Sequence, residues 1–112
     1  MKLYHNPRCS KSREALQLLE EKGKSPEIVL YMKESLTHND VESILEKLDM
    51  DAADLIRKGE KIWKEEFADK ELTEDELIFC MIEHPQLMER PILENADKAR
   101  VGRPTEKILE IL

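Results

Sequence analysis

Cysteine is scarce in this sequence, which has two among 112 residues, Cys9 and Cys80, far apart along the chain. Two cysteines are too few for the disulfide framework of a small secreted domain. The length fits a single domain over residues 1–112, with a core that needs neither metal nor disulfide for stability. Met1 leads directly into strand-like residues rather than a signal peptide. We therefore expect a reducing, cytoplasmic environment.

Long apolar runs and an excess of basic residues are also missing. No apolar run approaches the roughly 20 residues that a membrane-spanning helix needs. Lys and Arg number 18 against 25 Asp and Glu, so the net charge is -7 and the isoelectric point is near 5.0. Nonspecific binding to nucleic acid or to an anionic membrane requires a basic surface. The composition therefore argues against nucleic-acid and membrane partners, and the acidic surface without an evident apolar patch favours a monomer.

The first third of the chain has the pattern of a strand, a helix and a second strand. Residues 2–5 are strand-like, and Asn6-Pro7 is a turn. Apolar residues at helical spacing predict a helix over 10–22, which Gly23 ends. Residues 27–31 predict a buried strand. Such a unit favours parallel strands with a right-handed connection.

The middle of the chain, about residues 36–85, is predicted to be helical. Thr37 with Asp40, and Thr73 with Glu76, have the spacing of capping boxes, and an apolar stripe follows each pair. Two short helical pieces are predicted between these helices, over 51–57 and 61–68.

The end of the chain returns to sheet. Strands are predicted over 91–94 and 98–101, on either side of a turn, and Pro104 suits the first position of a last helix. The predicted fold class is therefore α/β, with a thioredoxin-like mixed four-stranded sheet and a helical insertion.

Cys9 follows a strand and a proline turn and stands at the first residues of a helix. Free N–H groups and the positive end of the helix dipole favour a thiolate there. Arg8, Lys11 and Arg13 add positive charge, which acts in the same direction. The thiolate is the nucleophilic form, so Cys9 is the candidate nucleophile. The alternative, an ordinary buried cysteine beside a capped helix, does not explain why three cations share one short turn.

Hydrogen-bonding residues surround this cysteine in the sequence. Ser10 and Ser12 can donate hydrogen bonds to the thiolate or to a bound anion, and His5 can do the same or help to hold the charge of the site. A second cysteine at position 12 would make a local redox pair, but Ser12 removes that option. The resolving thiol must then be external, such as glutathione, unless it is Cys80, which we interpret as a core residue.

Three arginines are candidates for an anion site. Arg57 ends a short helix, Arg90 precedes a strand, and Arg103 stands at a helix start. Arginine presents a rigid fork of donors that suits tetrahedral oxyanions, although each arginine alone also fits a surface ion pair. Pro91 is a candidate cis proline beside the nucleophile if the fold is thioredoxin-like, or otherwise an ordinary edge-strand proline.

The segments around Cys9, Arg57, Arg90 and Arg103 together resemble the glutaredoxin-coupled arsenate reductase family, of the ArsC type, over essentially the whole chain. The resemblance implies that Cys9 attacks arsenate and that His5 assists in setting the thiolate. It also implies that Arg57, Arg90 and Arg103 hold the anion and the arsenite-level intermediates. The segments that carry it are YHNPRCSKSR at 4–13, DLIR at 54–57, RPI at 90–92 and GRP at 102–104.

The resemblance implies a complete reaction cycle. Cys9 forms an adduct with arsenate, glutathione attacks as co-substrate, and arsenic passes from the pentavalent to the trivalent state. Glutaredoxin, the implied protein partner, then clears the mixed disulfide. No bound cofactor is expected, and no metal is expected either, because His38 and His84 stand isolated in the sequence.

Two other functions stay open. Arg8, Ser10 and Lys11 differ from the small residues of this turn in the best-known arsenate reductases, so a glutathione-dependent thiol oxidoreductase with another substrate is one alternative. The other is a regulator of the Spx type, which binds RNA polymerase. Such regulators typically carry a redox pair at the positions of Cys9 and Ser12, and Ser12 departs from that pattern.

Overall fold

The computed structural model describes residues 1–112, which divide into a first unit of residues 1–34 and 90–112 and a second unit of residues 35–89. The first unit contains the sheet, one long helix and a C-terminal 3-10 helix. Its elements are β1 (Lys2–Tyr4), α1 (Ser10–Glu21), β2 (Glu27–Val29), β3 (Ile92–Asn95), β4 (Lys98–Val101) and the 3-10 helix Thr105–Ile111.

The four strands form one mixed sheet in the order β2-β1-β3-β4. β1 is parallel to β2 and antiparallel to β3, and β3 pairs with β4 as a hairpin. Leu3 of β1 lies opposite Leu93 of β3, and both side chains are fully buried. They form a core with Ala15 and Leu19 of α1 and with apolar residues of the 3-10 helix. This is the thioredoxin-like mixed sheet that the sequence predicts.

Helix α1 begins and ends where the local sequence indicates. Cys9 is its N-cap residue, with extended backbone angles that end the preceding turn. At the other end Gly23 has a φ of +74°, which a residue without Cβ adopts at little cost. Its N–H donates to the carbonyl of Glu20, and that of Lys24 donates to the carbonyl of Leu19, so the last carbonyls of the helix are satisfied.

The second unit is built from helices. Both predicted capping boxes are present: the hydroxyl of Thr37 accepts from the N–H of Asp40, and that of Thr73 accepts from the N–H of Glu76. None of the helices in the chain has both the length and the apolar composition to cross a membrane. The helices of this unit are α2 (His38–Leu48), α3 (Ala52–Leu55), α4 (Lys61–Glu66), α5 (Glu74–Glu83) and the 3-10 helix Pro85–Leu87.

Three details differ from the sequence predictions. β2 is an edge strand with Ile28 exposed, not a buried strand, because only one side of it is paired in the sheet. The last helix is a 3-10 helix, and Pro104 precedes it as the N-cap instead of occupying its first position. The buried stripe of α5 consists of Ile78, Cys80 and Met81, whereas the predicted Leu77 and Ile82 are only half-buried.

Candidate active site

Cys9 is held at the N-terminus of α1 by a tight turn. Its N–H donates to the carbonyl of Asn6 at 3.0 Å, and its carbonyl accepts from the N–H of Arg13 as the helix begins. The side chain of Asn6 accepts from the N–H of Arg8 at 3.1 Å, which fixes the turn locally. Cys9 is half-buried, so its sulfur is accessible to a small reactant.

The sulfur of Cys9 accepts hydrogen bonds from several directions. Burial alone would raise the pKa of this thiol, but the Arg90 guanidinium, which hydrogen-bonds the sulfur, and the N–H groups of Ser12 and Lys11 outweigh it. The positive charge of Arg90 adds to the effect, and the pKa of Cys9 lies below its ordinary value. The thiolate is therefore more abundant at neutral pH than for an unperturbed cysteine.

Arg103 reaches the same sulfur from the far end of the chain. Its Nη2 lies 3.8 Å from Sγ of Cys9, and its Nε donates a 2.7 Å hydrogen bond to the backbone carbonyl of Arg90. The peptide bonds before Pro91 and before Pro104 are both cis. Cys9, Arg90 and Arg103 are thus brought together within the first unit, and two guanidinium groups lie beside one sulfur.

His5 and Ser12 form a buried pair next to this site. Nδ1 of His5 lies 2.8 Å from Oγ of Ser12, which also accepts from the N–H of Asn6 at 2.9 Å. Burial, followed by the charge of Arg13, lowers the pKa of His5, which favours the neutral ring over the imidazolium. The sequence predicts that the Ser12 hydroxyl donates to the thiolate or to a bound anion. In the structure this hydroxyl lies against His5 and Asn6, and the predicted contact stays a prediction.

The other cations of the turn have separate roles. Nη1 of Arg13 donates to the carbonyl of Pro7 at 2.9 Å and so braces the turn. Nζ of Lys11 lies 3.6 Å from Oε2 of Glu14, and both side chains are about half exposed. Arg8 and Ser10 are exposed. Of these residues, Lys11 acts on the sulfur through its backbone N–H, which lowers the pKa of Cys9.

Arg57 belongs to the second unit and is already engaged there. Its Nε lies 3.3 Å from a carboxylate oxygen of Glu89, and its Nη1 lies 3.5 Å from one of Glu60. Its N–H donates to the carbonyl of Leu87, so residues 55–57 and 87–89 are paired through their backbones. Among the three predicted arginines, Arg57 is thus the one whose guanidinium group contacts two carboxylates of its own unit.

Two further groups concern thiol and metal chemistry. Cys80 is buried in α5, and burial, followed by the charges of Glu83 and Glu76, raises the pKa of its thiol, so it is the less reactive cysteine.

The sequence suggests that His38 stands isolated. In the structure its Nε2 lies 2.9 Å from Oδ1 of Asp75. Donor atoms of His38, Glu42 and Asp75 all lie within 4.8 Å of one another, and both carboxylates are exposed.

Gly102 helps to shape the site, although the sequence pattern indicates no role for it beyond its place in the segment GRP at 102–104. A Cβ at this position would lie 2.9 Å from Cγ of Pro91, and its N–H donates to the carbonyl of Pro91 at 2.8 Å. The close approach of these two segments positions Arg103, the next residue, beside Cys9. The signal available in the sequence was a glycine directly before an arginine that is predicted to bind an anion.

The chain is similar to known proteins over nearly its whole length. The model of the ArsC family matches residues 4–111. An arsenate reductase of Haemophilus influenzae is 46% identical over 112 residues, covering 98% of this chain and 97% of the relative. An uncharacterized protein of Escherichia coli, YfgD, is 48% identical over 114 residues, covering 100% and 96%. The solved structure of an arsenate reductase from Vibrio cholerae superposes with a TM-score of 0.95 at 40% identity, covering 100% and 98%.

Proposed function

The chain belongs to the ArsC family, and we propose that it reduces arsenate to arsenite, with Cys9 as nucleophile, glutathione as co-substrate and glutaredoxin as the second reductant. The observation that carries the proposal is the set of donors on one sulfur: Arg90, the N–H groups of Lys11 and Ser12, and the nearby Arg103. A thiolate flanked by two guanidinium groups can receive a tetrahedral oxyanion without first assembling its binding site.

The first half of the proposed cycle forms a sulfur–arsenic bond. The Cys9 thiolate attacks arsenic, and one arsenate oxygen leaves as water after taking up protons. Arg90 and Arg103 neutralise the negative charge of the remaining oxygens. Ser10, exposed at the first position of α1, is a further candidate donor to the anion.

The second half carries the two-electron reduction. A glutathione thiolate attacks the sulfur of Cys9, and a disulfide forms between the two sulfurs. The sulfur–arsenic bond breaks, its electron pair stays on arsenic, and arsenic passes from the pentavalent to the trivalent state and leaves as arsenite. The thiolate of glutaredoxin then attacks the glutathione sulfur of the mixed disulfide and releases the Cys9 thiolate. No second cysteine of this chain takes part, which fits the burial of Cys80.

The cellular setting follows from these reactants. Glutathione and glutaredoxin act as reductants where thiols are kept reduced, so we propose a cytoplasmic protein that works as a monomer. Its acidic surface, with a net charge of -7, does not favour nucleic acid or anionic lipid as partners.

The test is arsenate-dependent NADPH consumption with glutathione, glutaredoxin and glutathione reductase present. We expect turnover by the unchanged protein and none by Cys9→Ser, whereas Cys80→Ser is the matched control and keeps its activity. Arg103→Ala should lower kcat/KM by about 10- to 100-fold, the range for a lost hydrogen bond to a charged group. Folded protein with a reactive Cys9 but no arsenate turnover would contradict the proposal.

A further inference from the structure

A cleft of about 400 Å³ lies beside the turn that carries Cys9. One wall is formed by the turn residues 6–8, and the other by Leu30, Met32 and Lys33, with His5 completing the lining. All of these residues belong to the first unit. Arg8 is the residue directly before Cys9 in the chain, so the cleft opens next to the reactive end of α1. We call it the Lys33 cleft.

The charge of the Lys33 cleft is opposite to that of the protein. Its lining includes Arg8 and Lys33, both exposed, and no carboxylate. The chain as a whole has a net charge of -7, and a cleft of the second unit is lined by six acidic side chains and no basic one. An anionic occupant is therefore favoured in the Lys33 cleft and disfavoured in the acidic cleft.

The apolar part of the lining indicates the size of that occupant. Pro7, Leu30 and Met32 supply carbon surface in the same cleft as the two cations, and Met32 is 42% exposed. Arsenate is a small tetrahedral ion that has no carbon atoms to contact this surface. A molecule with two separated carboxylates, joined by a chain that contains methylene groups, matches both features, because its ends meet the cations while its middle covers the apolar wall.

We propose that the Lys33 cleft binds the free tripeptide glutathione, with its carboxylates directed to Arg8 and Lys33 and its thiol toward Cys9. This inference rests on the proposed function, because it names the place from which the co-substrate attacks. Binding here orients the glutathione sulfur toward the sulfur of Cys9, which then accepts the new disulfide bond as the sulfur–arsenic bond breaks. The cleft thereby converts a collision between two thiols into a reaction of bound groups.

The direct test is an NMR titration of the unchanged protein with S-methylglutathione, which keeps both carboxylates but cannot form a disulfide. We expect chemical-shift changes at Arg8, Leu30, Met32 and Lys33. Lys33→Glu should weaken binding by about twofold to fivefold, the scale of one exposed charge pair, and added salt should weaken binding by the unchanged protein. Lys24→Glu is the matched control, since Lys24 is an exposed lysine of the same unit outside the cleft.

A second experiment separates this proposal from the proposed function. The rate of mixed-disulfide formation at Cys9 is measured with oxidised glutathione and with the neutral 2-hydroxyethyl disulfide, in the absence of arsenate. Lys33→Glu should slow the first reaction by about twofold to fivefold and leave the second unchanged. If Lys33→Glu has this effect while the unchanged protein shows no arsenate turnover, the glutathione site in the Lys33 cleft is supported and the proposed reduction of arsenate is refuted. Equal effects of Lys33→Glu and Lys24→Glu, or shift changes confined to residues outside the cleft, would overturn the proposal.

Discussion

The Nε of Arg103 donates a 2.7 Å hydrogen bond to the backbone carbonyl of Arg90, the residue whose own guanidinium hydrogen-bonds the sulfur of Cys9. One arginine therefore fixes the backbone that carries the other. Both guanidinium groups are set beside the sulfur within a single folded unit. Arranging them in advance removes much of the ordering cost that an anion would otherwise meet on binding.

Replacing Arg90 with glutamine should raise the pKa of the Cys9 thiol. The substitution removes the charge and the guanidinium hydrogen bond, both of which favour the thiolate against the opposing effect of burial. The rate of iodoacetamide alkylation, measured as a function of pH, should show its midpoint move to higher pH. Arg100→Gln is the control, because the Arg100 side chain pairs with Glu110. An unmoved midpoint in Arg90→Gln would show that Arg90 does not set the thiolate.

Adding one methyl group at Gly102 should disturb the site without removing any of its polar groups. The new Cβ would lie 2.9 Å from Cγ of Pro91 and 3.3 Å from Cγ2 of Ile108, so one of these segments must shift. We expect Gly102→Ala to destabilise the fold by about 1–3 kcal/mol and to slow alkylation of Cys9 by displacing Arg103. Urea denaturation measures the first effect. Gly59→Ala, where a Cβ meets open space, should cost little, and a similar loss in both variants would refute the steric argument.

Removing the Ser12 hydroxyl should cost more than removing that of Ser10. Ser12 is fully buried, and Ser12→Ala leaves the N–H of Asn6 and Nδ1 of His5 without this shared partner. The expected loss is about 1–3 kcal/mol of unfolding free energy. Ser10 is exposed, so Ser10→Ala should change stability by less than about 0.5 kcal/mol. Equal stabilities of the two variants would contradict the assigned role of Ser12.

His5 should make the fold less stable as the pH falls. Its folded-state pKa lies below 6.5 because burial and the charge of Arg13 oppose protonation. Below about pH 6.5 the unfolded chain therefore binds more protons than the folded chain, and this loss of stability continues until the pH passes the folded pKa. An NMR titration of the imidazole protons reports that pKa directly. A midpoint at or above 6.5 for His5 would contradict the structure.

Local signals in the sequence identify the parts of the fold that depend on neighbouring residues. The capping boxes at Thr37 and Thr73 and the stop at Gly23 were predictable because each involves hydrogen bonds within about four residues. The edge position of β2 was not, because exposure of Ile28 depends on which strands pair, and pairing depends on contacts distant in the chain. The pairing of Lys11 with Glu14 also needed side-chain geometry that spacing alone leaves open.

The sequence by itself determined that Cys9 stands at the start of a helix among cations, because turn, helix and charge pattern are all local to residues 5–13. Only the tertiary structure decided which groups meet its sulfur. Arg90 and Arg103 lie more than 80 positions away along the chain, and the Gly102–Pro91 contact that sets Arg103 in place exists only after the hairpin and the C-terminal helix have packed. Burial likewise decided that the Ser12 hydroxyl contacts His5 and Asn6, because a buried hydroxyl must find a partner inside the fold.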